Sequence, residues 1–98
     1  MEELINNIVQ WHYDRNLIDG STDRDQFLKL LSEIGELSES LSKKRDVTDD
    51  IGDIIVVLAN IATRNKLTIT DCLAKSWNEI KDRKGKMVDG IFIKEADL

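Results

Sequence analysis

The sequence predicts an all-α protein, an antiparallel four-helix bundle with a short C-terminal β-hairpin. Three observations carry this. Apolar residues recur at helical spacing through most of the chain. There is no proline and there are only five glycines among 98 residues, so long stretches are free to be helical. Near the end the spacing changes, and Asp89-Gly90 stands between two apolar pairs, a strong hairpin signal.

The first helix is expected from Glu2 to about Asn16, with Leu4, Ile5, Ile8, Val9 and His12 along one side. Asp19-Gly20 marks the turn after it. Ser21 or Thr22 then offers an N-cap, and Thr22 with Asp25 resembles a capping box. The second helix follows to about Leu41, with Phe27, Leu30, Ile34, Leu37 and Leu41 in one stripe. After a polar break at 42–46, Asp46 or Thr48 caps a third helix that runs to about Arg64. This helix is apolar nearly all round from Ile54 to Ala59, which makes it the central one. Thr68 and Asp71 open a fourth helix, expected to reach about Lys84, with Gly85 as its stop. Met87-Val88 and Ile91-Phe92-Ile93 form the hairpin arms. Short loops between long helices favour antiparallel neighbours.

A chain of 98 residues fits one domain, here 1–98, and so small a domain is marginal alone, which makes oligomerisation a natural remedy. The apolar fraction of 41% is enough for a core. The net charge of −5 argues against nucleic acid as a partner, because phosphate neutralisation needs a basic surface. It leaves room for a nucleotide if bound cations carry the positive charge. Cys72 is the single cysteine, which excludes an internal disulfide and a cysteine zinc site. Glu2 and Glu3 make the N-terminus unlike a signal peptide, and the run Ile54 to Ala59 is too short to span a membrane. A cytoplasmic location is therefore expected, with no membrane partner.

The chemistry-bearing residues lie on the second and third helices. One carries Glu33-Ile-Gly-Glu36 and the other Asp50-Ile-Gly-Asp53. Acids three apart are neighbours on a helix surface, so each pair can grip one cation. On the helical wheel Glu33 and Glu36 flank the Leu30/Ile34/Leu37 stripe, and Asp50 and Asp53 flank Ile51/Ile55/Leu58. Glu39 falls opposite the stripe, as solvated surface. Antiparallel packing would bring four carboxylates to one point, where like charges repel unless a hard dication joins them. Gly35 and Gly52 repeat the same offset, for close helix approach or for ligand space, at a cost of about 0.5–1 kcal/mol each. Acids at the start of the third helix are also what the helix dipole favours; the duplication of the motif is what points to metal binding.

At these residues the chain resembles the MazG-like family of all-α nucleotide pyrophosphohydrolases, marked by Glu-x-x-Glu on one helix and Glu-x-x-Asp on the next. The stretches 26–37 and 49–58 look like the two motifs, and Trp11 and the segment 81–90 extend the likeness along the chain, in the manner of short bacterial and phage proteins. The resemblance implies Mg²⁺-dependent (or Mn²⁺-dependent) hydrolysis of a nucleoside triphosphate, NTP or dNTP, to monophosphate and pyrophosphate, clearing non-standard or excess nucleotides. It implies Glu33, Glu36, Asp50 and Asp53 as metal ligands, Glu33 or Glu36 as the group accepting a proton from water, Asn60 at the substrate, and a homodimer or homotetramer. A phage source would make the location host cytoplasm. The family commonly carries glutamates where Ser32 and Asp50 stand here.

Phosphates beyond the metal's reach need basic or polar partners. Lys29 sits a turn before Glu33, and Lys75, Asn78, Lys81, Arg83, Lys84 and Lys86 lie on or after the fourth helix. Arg83 suits bidentate phosphate contact. Each is also an ordinary surface charge; as a set they are the candidate phosphate grip. Trp11 and Trp77 are candidates to stack on a base, core burial being the commoner role of tryptophan. His12 reads as structural and Cys72 as a small core residue. A di-iron bundle would use Glu-x-x-His motifs, and His12 stands in none. The alternative function is a helical oligomerisation or regulatory module of the same fold, without the activity.

Overall fold

A computed structural model describes residues 1–98. Four helices, α1 (Glu2–Asp14), α2 (Asp23–Ser42), α3 (Thr48–Arg64) and α4 (Ile69–Ile80), precede a hairpin of β1 (Gly85–Val88) and β2 (Ile91–Lys94) and a short 3₁₀ turn, Glu95–Asp97.

α2 and α4 start at side-chain caps, while the N-cap of α3 is Val47, between Asp46 and Thr48, and makes no side-chain bond. Thr68 Oγ1 accepts from Asp71 N at 3.0 Å while Asp71 returns the bond to Thr68 N at 3.1 Å, a complete capping box. Thr22 makes only the forward half, accepting from Asp25 N at 3.1 Å. Asp46 accepts from both the amide and the hydroxyl of Thr48, at 3.0 and 2.7 Å. These bonds, the hydroxyl first, hold the Asp46 carboxyl below the usual carboxylate range.

The helix ends differ from expectation. α1 stops at Asp14, short of Asn16, and α4 stops at Ile80, short of Lys84. Asn16, Lys44 and Lys66 adopt left-handed backbone, with φ of 57°, 55° and 61°. After each, an amide reaches back to a carbonyl five residues earlier: Leu17 to His12, Arg45 to Ser40, Leu67 to Ala62. That is the Schellman stop, built without glycine. Gly85 opens β1 rather than ending a helix; a Cβ there would lie 2.1 Å from the Ile93 carbonyl oxygen. The hairpin is as expected, with Val88 paired to Ile91 across Asp89 (φ 52°) and Gly90 (φ 81°), the two positive φ values of a type I′ turn.

α3 is central, packing against α2, α1 and α4. The connection 43–47 folds α2 and α3 back antiparallel, and Arg64 at the end of α3 reaches Asp23 at the start of α2, with Nε 2.9 Å from Oδ1. The same guanidinium donates to the Ile18 carbonyl. A buried polar joint ties α1 to α3. Asn60 donates its amide to the Leu17 carbonyl at 2.9 Å and to His12 Nδ1 at 3.2 Å. His12 Nε2 in turn lies 2.9 Å from the Val56 carbonyl, which fits the Nε2–H tautomer.

Only eight of 98 residues are buried, and none belongs to α4 or the hairpin. Three helices make the core, and the fourth lies along α3 outside it. The α2 stripe is only half used: Leu30 and Leu37 are partly covered, while Phe27, Ile34 and Leu41 are exposed. Ile51, Ile55 and Leu58 of α3 are exposed as well. Trp77 and Cys72 on α4 are exposed rather than core residues, because nothing in this chain covers that face.

Candidate functional site

The antiparallel α2/α3 pair brings Glu33, Glu36 and Asp53 together. One carboxylate oxygen from each lies within 4.8 Å of the others. The three-residue spacing in Glu33-x-x-Glu36 puts both on the α2 face that meets α3, and Asp53 faces them one turn into α3. Glu33 is only 6% exposed, unusual for an ionisable residue. Its Oε1 is 3.0 Å from Lys29 Nζ, while its Oε2 is buried without a hydrogen-bond partner. A buried carboxylate oxygen without a donor is costly. An all-carboxylate oxygen set suits a hard cation, and the open Oε2 offers it a ready ligand atom. The cluster could hold a metal ion.

The cluster's electrostatics report its crowding. The adjacent Glu33 carboxylate, able to accept its proton, and then the Glu33 charge raise the Glu36 carboxyl above its ordinary range. Asp53 is also raised, first by burial and then by the charges of Asp49, Glu33 and Asp50. Lys29 is raised by its hydrogen bond to Glu33 and by Glu33's charge. Asp50 is half-buried and lies outside the group of three, though its charge acts on both Glu36 and Asp53. Three of the four expected ligands therefore converge, and the fourth stands near.

Gly35 and Gly52 face open space, since a Cβ on either would meet nothing within 4 Å. Close helix packing within the chain is not their reason. Glu39 is on the outer surface, paired to Lys43 at 2.6 Å, as its wheel position implied.

The expected substrate contacts divide. Asn60 is fully buried, and its amide is committed to Leu17 and His12. It serves the α1/α3 joint rather than an open surface. The wheel places Asn60 on the Asp53 face but gives no depth, and α1 covers that end of the face. Lys75, Asn78, Lys81 and Arg83 are exposed and form no ion pair or side-chain hydrogen bond with the cluster. Trp11 is 43% exposed, with the Arg15 guanidinium 4.4 Å from its ring centroid. It lines a pocket of about 360 Å³ with Leu4, Asn7, Ile8 and Val56. Arg64 closes the 18–23 connection onto α3; in the sequence it is marked only as a basic residue in the last helical turn.

No helix is long and apolar enough to cross a membrane. No protein-family model and no solved structure matches the chain. Over 69 residues, 68% of its length, it is 42% identical to an uncharacterized 18.2 kDa protein from the rep-hol intergenic region of Haemophilus phage HP1. The match spans 42% of that relative's own length.

Proposed function

We propose that this chain hydrolyses nucleoside triphosphates, NTP or dNTP, to the monophosphate and pyrophosphate with the help of Mg²⁺, or Mn²⁺ in its place. The observation that carries the reading is Glu33: a buried carboxylate with an open oxygen, facing Glu36 and Asp53. The resemblance of the two acidic motifs to MazG-like enzymes supplies the reaction class. Phosphoanhydride hydrolysis asks mainly for positioning and charge neutralisation, and three clustered carboxylates are suited to gather the cations that provide them.

Glu33, Glu36 and Asp53 would hold the metal, with Asp50 completing the set directly or through water. Bound there, the ion supplies neutralisation of the triphosphate oxygens and acidification of water. Glu36 is the better proton acceptor of the two glutamates. It is exposed to solvent water, whereas Glu33 is buried. Glu33, held in the core, orients the cluster. Lys75, Asn78, Lys81 and Arg83 are free to meet phosphates, and Trp11 offers a ring face beside an apolar pocket.

The functional unit is a homodimer or homotetramer. The chain exposes 7548 Å², against about 5,700 Å² expected for a folded monomer of its mass. The excess is about 1,800 Å², twice what one partner of a standard interface buries. The radius of gyration of 16.2 Å likewise exceeds the roughly 13 Å of a 100-residue domain. A partner copy on the exposed α2 and α3 stripes would complete the bundle.

Incubation with a panel of NTPs and dNTPs, with Mg²⁺ or Mn²⁺, followed by ion-exchange separation, tests the reading. Metal-dependent monophosphate and pyrophosphate are expected. Diphosphate with orthophosphate would overturn the reaction class. No turnover by folded, metal-binding protein would favour a non-catalytic oligomerisation module.

A further inference from the structure

The carboxylate cluster already contains a cation of the protein's own. Lys29 Nζ sits 3.0 Å from Glu33 Oε1, reaching down one helical turn. The pair is lopsided: the Lys29 side chain is 59% exposed and that of Glu33 8%. The lysine therefore enters from solvent and satisfies one oxygen of a buried carboxylate, while the other oxygen stays open. The Lys29 charge also acts on Glu36 and Asp53.

This pairing contributes little to the helix. With lysine on the N-terminal side, the i,i+4 order is the weaker of the two orientations, and a pair whose lysine is largely solvated contributes little in any case. Its effect is local, as one positive charge against three carboxylates.

We propose that Lys29 is a resident cation of the cluster, which holds Glu33 in the metal-free protein and gives up its oxygen when a divalent ion binds. This rests on the metal-site reading above. The physical reason is repulsion. The ammonium sits at Oε1 and a dication would take the open Oε2, and two cations on the two oxygens of one carboxylate repel. The long, exposed lysine stem makes release easy, so the lysine tunes metal affinity without blocking the site.

The test follows the lysine ammonium groups by nuclear magnetic resonance while Mg²⁺ is titrated, with calorimetry in parallel on the wild type, Lys29→Met and Glu33→Gln. The expected result is a Lys29 ammonium signal that shifts and becomes more mobile on Mg²⁺ binding, while Lys43, paired to Glu39 on the outer surface, does not change. Lys29→Met should bind Mg²⁺ about two- to fivefold more tightly, the worth of an exposed pair. Mg²⁺ binding that is lost in Glu33→Gln but leaves the Lys29 signal fixed would overturn the proposal and leave the metal site standing. Absence of Mg²⁺ heat in the wild type would overturn the metal site itself, and this proposal with it.

Discussion

Replacing Glu33 by glutamine tests the site through stability, without substrate. The substitution keeps the shape of the side chain and removes its charge. In the metal-free protein it gives up the Lys29 ion pair, about 0.3–0.5 kcal/mol for an i,i+4 pair. It also puts an amide N–H, which the Glu36 or Asp53 oxygens can accept from, where a buried carboxylate oxygen had no donor, a burden of about 1–3 kcal/mol, and lessens repulsion on Glu36 and Asp53. The net gain is about 1 kcal/mol, a rise in Tm of about 4–8 °C for a domain of this size. With Mg²⁺ the order reverses. A ligand at a hundred times its Kd stabilises the fold by about 2.7 kcal/mol, and only the wild type can collect it. Thermal denaturation at fixed protein concentration, with and without Mg²⁺, should show the variant ahead in chelator and the wild type ahead in metal. A variant that melts lower in chelator and still gains from Mg²⁺ would refute both the assignment of Glu33 and the account of its strain.

Other outcomes follow from neighbouring features. Asn60→Ala should cost about 2–4 kcal/mol in urea unfolding, because it orphans the Leu17 carbonyl and His12 Nδ1 together; a loss under 1 kcal/mol would mean the joint contributes little. The raised Glu36 and Asp53 carboxyls mean that the folded, metal-free chain keeps protons its unfolded form releases. Its stability should therefore fall as pH rises from about 4 through those raised values, while Mg²⁺ affinity climbs over the same interval; calorimetry showing affinity flat across it would sink the assignment. Gly35→Ala and Gly52→Ala should each stabilise the helices by about 0.5–1 kcal/mol, since a Cβ meets nothing there. A drop in Tm for either would show that the space is filled in solution.

Helix beginnings were readable because Thr22 and Thr68 cap through their own side chains, a local interaction that the local sequence records. Helix ends were not, because Asn16, Lys44 and Lys66 take a left-handed conformation that sequence assigns to glycine. The acidic site was legible in part for a geometric reason. Spacing of three fixes which residues share a face, and that sufficed to bring Glu33, Glu36 and Asp53 together. Depth is not a periodic property, so the burial of Asn60 went unseen. Cysteine and tryptophan favour the interior as residue types, yet a lone chain offers Cys72 and Trp77 on α4 nothing to be inside of.

The absence of buried residues from α4 and the hairpin bears on how the chain opens. Burial is what couples one segment's unfolding to that of the rest, so the last third is free to unfold at a fraction of the global cost. Amide hydrogens of α4 should exchange orders of magnitude faster than those around Val57 and Ala62. Lys75, Asn78, Lys81 and Arg83, carried on and just beyond α4, thus belong to a sub-global folding unit, whose ordering can be supplied by whatever docks against it.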